Sequence, residues 1–339
     1  MASRHFKSGG VFLVLAFFSL PLHAAEKLIP VDVALSDVSI NKVPLLIAAD
    51  AGIYAKNGLD VHQYITPGAA AVAHASGVDV PPENINADIA SAPIHIGGGS
   101  PTIVGFIKKP DGPKRIIVST TEGIVRDHII ASPSIASVQD LRGKRIGYSA
   151  YGTVTSYDIL TFLKKMGWDP EKDVTLVAGS SDLDSIKNGK VDAILASAMV
   201  ITKAKEFGLK DLGSLEKYNI PLAGSGVMVE SGWLAANRDT TARFVKSVVQ
   251  ATALMKTDKK VFDAALVKWF NIKDKQTQDG MFAAVRQLPD KPYPSVAGIK
   301  GAMAIYDSPG MRAHKAEDFY DASFVTELDK SGLLDHPLR

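Results

Sequence analysis

The chain has 339 residues, 46% of them hydrophobic and 22% charged, with 38 Lys+Arg against 36 Asp+Glu and no cysteine. That is enough chain for a sizeable core and two lobes. The near-neutral balance argues against nucleic acid as a partner, because its binders present a basic surface, and the missing cysteines exclude disulfides, thiolate metal sites, iron–sulfur clusters and cysteine catalysis.

At the N-terminus, Arg4 and Lys7 precede an apolar run from Val11 to Leu20, followed by Pro21-Leu22-His23-Ala24-Ala25-Glu26. Residues 1–24 have the layout of a cleavable secretory signal peptide, with the cut expected after Ala24. The apolar run is too short to span a bilayer comfortably. Its removal takes away two basic residues and no acid, which brings the two signs of charge level. A periplasmic location is expected.

A strand is expected over Leu28 to Leu35, a polar loop over Ser36 to Asn41, and one helix from Pro44 to Lys56 stopped by Gly58. Leu59 to Tyr64 is the next strand, and Thr66-Pro67-Gly68-Ala69-Ala70 turns into a short helix. Val78 to Ile85, with Pro81 and Pro82, reads as a loop insertion. Asn86 to Ser91 reads as a short strand, Pro93 to Lys108 as a helix loosened by three glycines, and Arg115 to Ser119 as a strand.

The pattern then starts again. His128 to Ala131 is a strand, Ser137 to Leu141 a turn of helix, and Arg145 to Tyr148 a buried strand. Ser149 to Thr153 turns into a helix with apolar spacing at Ile159, Leu160, Leu163 and Met166, stopped by Gly167. Strands over Val174 to Val177 and Gly189 to Leu195 flank a capped helix over Ser181 to Asn188. Ser225 to Val229 is one more strand, and after Ser231 the chain is largely helical. Thr66–Ala70 and Ser149–Thr153 share one design: strand, glycine turn, helix start. A helix N-terminus with free N–H groups beside hydroxyls and a glycine can hold a small anion or polar ligand.

Strands alternating with helices imply an α/β class with a mainly parallel sheet in each half. Ligands of such sheets sit beyond the carboxyl ends of the strands. Loops 36–41, 66–70, 91–93, 149–153 and 196–198 are expected there.

Several segments together resemble one family. Pro44-Leu45-Leu46-Ile47-Ala48 and Gly52-Ile53-Tyr54-Ala55-Lys56-Asn57-Gly58-Leu59-Asp60-Val61 are similar to its N-terminal signature. Val138-Gln139-Asp140-Leu141-Arg142-Gly143-Lys144-Arg145-Ile146-Gly147 is similar to the start of its second lobe, and Gly189-Lys190-Val191-Asp192-Ala193 and Gly232-Trp233-Leu234-Ala235-Ala236-Asn237 match as well. The resemblance, over about Val31 to Val249, is to the NMT1/THI5-like periplasmic solute-binding proteins of ABC importers for nitrate, sulfonates, taurine and related solutes. It implies a two-lobed periplasmic-binding-protein fold of type II-like plan that closes on ligand in a cleft between the lobes. Lobe 1 would be residues 25–121 and 226–339, and lobe 2 residues 122–225, with crossings near Thr120–Gly123 and Ala223–Gly226. It also implies an ABC permease as partner, no cofactor and no metal; a monomer is expected.

The ligand-contact candidates are Ser36, Asp37, Ser39, Asn41, Thr66, Gly68, Ala69, Ser91, His95, Ser149, Tyr151, Gly152, Thr153 and Ser197. They are mostly neutral, with Lys42 only at an edge. Asp37 is either a turn cap or a carboxylate that favours an amine-bearing ligand. His95 is either a ligand contact or a packed histidine, and Tyr151 either a stacking contact or plain packing. A small polar or anionic organic solute is expected.

Two other functions compete. A ligand-sensing accessory protein for a membrane receptor would use the same lobes. An enzyme on the same fold would need a nucleophile and base, yet the chain has no Gly-x-Ser-x-Gly elbow and no His-Glu-x-x-His motif. No catalytic residue is assigned.

Overall fold

The computed structural model describes residues 27–112 and 114–338, apart from the side chains of residues 89 and 90. The expected signal peptide lies outside the described residues. The chain first lays down β1 (Ile29–Leu35), β2 (Leu59–Ile65), β3 (Ile94–Gly98) and β4 (Arg115–Thr120). Between them run α1 (Val43–Asp50), α2 (Ile53–Lys56), α3 (Pro67–Ala75) and α4 (Gly99–Lys108). It then builds β5 (His128–Ala131), β6 (Arg145–Tyr148), β7 (Thr175–Ala178), β8 (Ala193–Ala196) and β9 (Lys210–Ser214). With these come α5 (Val154–Met166), α6 (Leu183–Lys187) and α7 (Ile201–Glu206). It returns as β10 (Ser225–Glu230) and continues as α8 (Ser231–Ala236), α9 (Arg238–Thr257), α10 (Lys259–Phe270) and α11 (Lys275–Val285). It finishes with α12 (Val296–Ile305), α13 (Pro309–Arg312) and α14 (Ser323–Lys330).

The strands form two five-stranded sheets, ordered β2-β1-β3-β10-β4 and β7-β6-β8-β5-β9. The two orders follow one plan. In each sheet three strands pair in parallel, and the fourth position goes to the first strand after the chain changes sheets: β10 in one, β5 in the other. Both of these run antiparallel to their neighbours. The sheets are therefore mixed rather than mainly parallel, because a strand arriving from the other half enters from the opposite direction.

Burial explains the choice of elements. In β1 the side chains of Val31 and Val33 are buried, while Asp32 between them is exposed. The α1 segment is apolar all round, with Leu45, Leu46 and Ile47 fully buried, as expected of a helix covered on every side. It lies against α9 and α10. Each such side chain stabilises by roughly 1.5–3 kcal/mol, so truncating Leu46 to Ala costs about 2–5 kcal/mol.

Three expectations need correction. The Pro44–Lys56 helix is two, divided at Gly52, whose φ of +66° breaks the α geometry. Asn86–Ser91 is not a strand: Asp88–Ser91 forms a 3-10 turn. The helix expected from Pro93 starts only at Gly99, because Ile94-His95-Ile96 alternates and forms the middle strand β3. Strand β9 and helix α7 were not anticipated at all.

Candidate functional site

The chain passes between the sheets over residues 121–127 and back over 215–224, and these two crossings are bonded to each other. The Thr121 N–H and hydroxyl both donate to Ser225 O, at 2.8 and 2.6 Å. Val125 N–H donates to Ile220 O and Leu222 N–H to Gly123 O, each at 2.9 Å. Gly224 has φ +92°, and a Cβ there would lie 2.2 Å from Thr120 Cγ2 and 2.6 Å from Glu122 O. Only glycine fits where the crossings come this close.

Charged side chains gather beside this joint. Lys42 is fully buried. Its ammonium donates to Ser225 Oγ at 2.7 Å and Ser39 Oγ at 3.3 Å, and pairs with Asp37 at 2.7 Å. A buried ammonium costs several kcal/mol unless paired, so these three partners make its position tenable. Asn41 Nδ2 donates to Glu122 Oε2 at 2.6 Å. Arg126 Nε stands 3.3 Å from Glu122 Oε1, and its Nη1 pairs with Glu216.

The carboxyls here are short of positive charge. Burial, then the charge of Asp127, pushes Glu122 up to about 8, against the opposing pull of Asn41, Arg126 and Lys42. Burial pushes Asp127 up to about 6 even though Asp158 donates to it. Asp158 on α5 is pushed well above the usual carboxylate range by burial and by Asp127.

The expected site residues divide into groups. Ser36, Asp37, Ser39 and Asn41 lie together after β1. Ser36 is exposed and lies against Gly97, where an added Cβ would come within 3.1 Å of its Cβ. Asp37 takes Lys42 as its ion partner. Thr66 caps α3 by accepting from Ala69 N–H, with Gly68 exposed in that first turn. Ser149 donates to Thr153 Oγ1 at 2.9 Å and lies 2.8 Å from Thr155 Oγ1, a knot of three hydroxyls at the start of α5. Thr153 caps that helix, and Ser197 caps the 3-10 turn before α7. Tyr151 is 56% exposed and meets Tyr306 edge-on.

Ser91 and His95 stand apart. Ser91 precedes β3, whereas Ser36 follows β1, and β1 and β3 are parallel, so the two serines lie at opposite ends of the sheet. His95 is inside β3, opposite Ala34 and Met228, with Arg115 Nη2 at 3.0 Å. The turn that follows β3 is instead Gly98–Gly99. Sequence reasoning also put Lys42 at an edge and left out Glu122, Arg126, Asp127, Asp158 and Ser225. A Lys and a Glu flanked by small polar residues next to expected strand ends were the available signals.

The two halves meet at these strand ends. A Cβ on Gly98 would lie 2.1 Å from Val154 Cγ2, and one on Gly152 would lie 2.8 Å from Val104 Cγ1. Thr202 and Thr277 share a hydrogen bond, and Tyr306 donates to Thr153 O at 3.3 Å. Bonded crossings behind and apolar contacts in front are the parts needed for two halves that open and close.

The resemblance read from the sequence is borne out by a family model: the model described as NMT1/THI5 like matches residues 116–260. Among solved structures, the chain is similar to the periplasmic nitrate-binding protein NrtA from Synechocystis PCC 6803, with TM-score 0.69 and 12% identity over 93% of this chain and 92% of that one. It is similar to the periplasmic sulfonate-binding protein SsuA from Methylobacillus flagellatus KT, with TM-score 0.64 and 15% identity over 92% and 97%. The aliphatic sulphonate binding protein SsuA from Escherichia coli gives 0.61 and 14% over 86% and 98%. No curated protein matches the chain. The fold is that of the periplasmic binding proteins.

Proposed function

We propose that this chain is a periplasmic binding protein that captures a small polar solute between its two sheets and delivers it to an ABC importer. The observation that carries this reading is the repeated sheet plan joined by a pair of mutually bonded crossings, with helix starts and hydroxyls at the facing strand ends. The solved neighbours with this fold are named for binding nitrate or sulfonates. Among the described residues no helix is long and apolar enough to cross a membrane, and the N-terminal layout is that of an exported protein.

Lobe 1 would be residues 25–121 and 226–339, and lobe 2 residues 122–225. The contacts would come from Ser36, Asp37, Ser39 and Asn41 on one side and from Ser149, Thr153 and Ser197 on the other, with Thr66–Ala69 beside them. The protein binds and releases without chemistry. A thermal-shift screen of the full chain against sulfonates, carboxylates, nitrate and nitrogen-containing solutes tests this, because a bound solute stabilises by RT ln(1 + [L]/Kd). A dose-dependent rise with one solute supports capture; no rise with any class counts against it.

A further inference from the structure

The turn ahead of α5 presents an aromatic ring to the other half of the molecule. The Thr153 N–H and hydroxyl both donate to Ala150 O, at 3.2 and 2.6 Å, which folds residues 150–153 tightly. Ser149 and Thr155 hold the base of this turn through their hydroxyls. The turn is thus fixed from within the second sheet's half, and it leaves Tyr151 56% exposed. What Tyr151 meets belongs with the first sheet: α4 follows β3, and α12 packs on α4. Tyr306, just past α12 and 3% exposed, lies edge-on to Tyr151 with ring centroids 5.1 Å apart. Lys108 Nζ, from the last turn of α4, stands 5.1 Å from the centre of the Tyr151 ring. Both geometries are attractive, edge-to-face for the ring pair and cation–π for the ammonium. The same turn is seated twice more. The Tyr306 hydroxyl donates to Thr153 O at 3.3 Å, and Gly152 packs so closely on α4 that a Cβ would stand 2.8 Å from Val104 Cγ1.

Nearer the crossings the same helix is held differently. The Tyr157 hydroxyl donates to Pro221 O at 2.6 Å, and a Cβ on Gly301 of α12 would lie 2.5 Å from that hydroxyl. That contact sits on the returning crossing itself and shifts little when the halves swing. Tyr151 sits ahead of the start of α5, away from the crossing, so its ring contacts separate as the halves part. We propose that Tyr151 is a positioning residue for solute capture: its ring, latched against Lys108 and Tyr306, holds the halves closed over the solute without touching it and sets how slowly the solute leaves. The inference rests on the solute-capture reading and names the residues that hold its closed state. A latch made after the solute has entered acts on release rather than on entry. The ring and the cation carry it, and the Tyr151 hydroxyl does not.

The test uses the full chain with ethanesulfonate, nitrate, acetate and putrescine as probes. The probe that raises the melting temperature most is carried into stopped-flow mixing, which reads entry and release separately. Tyr151→Ala and Lys108→Ala are each expected to speed release about fivefold or more, the equivalent of about 1 kcal/mol, while entry stays within about twofold of wild type. Tyr151→Phe keeps the ring and Lys108→Arg keeps the cation, so both should release within about twofold of wild type. The variant carrying both alanines should release no faster than the faster single one, because the two residues make one contact. Release at the wild-type rate in Tyr151→Ala or Lys108→Ala overturns the latch. Release as fast in Tyr151→Phe as in Tyr151→Ala also overturns it, because the hydroxyl would then be holding the solute itself. So does a change in entry with release unaltered. In each of these cases solute capture stands. A melting temperature raised by none of the probes overturns capture and latch together.

Discussion

Lys42 Nζ reaches Ser225 Oγ at 2.7 Å, tying the turn after β1 to the first residue of the strand that returns from the second sheet. A fully buried ammonium thus pins the first sheet's turn to the point where the chain re-enters that sheet. Its counter-ion Asp37 is 42% exposed. Asp37→Ala leaves the buried charge without its carboxylate. It is expected to cost about 1–3 kcal/mol, less than a fully buried pair because water screens the exposed partner. Lys42→Met, which keeps volume and removes the charge, is expected to cost less than Asp37→Ala. Urea denaturation of both variants measures the order.

Gly98 separates closure from backbone strain. Its φ of −78° is open to any residue, yet a Cβ would meet Val154 Cγ2 at 2.1 Å across the two halves. Gly98→Ala is expected to hold the halves apart, weakening solute affinity at least tenfold while lowering stability by less than about 2 kcal/mol. Calorimetry and chemical denaturation on the same preparation read the two effects.

Gly152 combines both constraints. Its φ is +90°, and a Cβ would stand 2.8 Å from Val104 Cγ1. Gly152→Val is expected to destabilise by about 2–4 kcal/mol and to abolish solute binding. Adding Val104→Ala relieves the contact but not the dihedral, so stability should recover only in part. Thermal melts of the single and double variants distinguish the contributions.

The pH dependence follows from the raised carboxyls. Glu122 titrates at about 8 and Asp127 at about 6 in the folded chain, against 4.5 and 3.8 ordinarily. Between those limits the folded state holds more protons than the unfolded one. Stability is therefore highest in mild acid and is lost as pH rises toward 8, by at most about 1.4 kcal/mol per pH unit per extra proton. Glu122→Gln is expected to flatten the slope between about pH 6 and pH 8. The check is the urea midpoint measured across that range for wild type and variant.

Much of the fold was legible. His128–Ala131 and Arg145–Tyr148 coincide with β5 and β6, because short apolar runs closed by turn residues leave little choice. Lys210-Asp211-Leu212-Gly213-Ser214 was missed as a strand: it sits at a sheet edge with one aliphatic side chain, so burial leaves no alternation. Ile94–Gly98 reads as helix in the sequence because its glycine run hides a strand of five residues. The turn hydroxyls of the site were readable from their place after strands. Lys42, Glu122 and Asp158 were not, because each is an ordinary charged residue in its own segment and becomes unusual only when three distant segments bury it together.

The most direct measurement of the central claim is small-angle X-ray scattering of the full chain with and without a solute that calorimetry shows to be bound, run on wild type and Gly98→Ala. The wild type is expected to contract on adding solute, from an open free form to the closed arrangement in which Gly98 meets Val154, while the variant keeps the open profile. Identical wild-type profiles with and without saturating solute would contradict capture by closure.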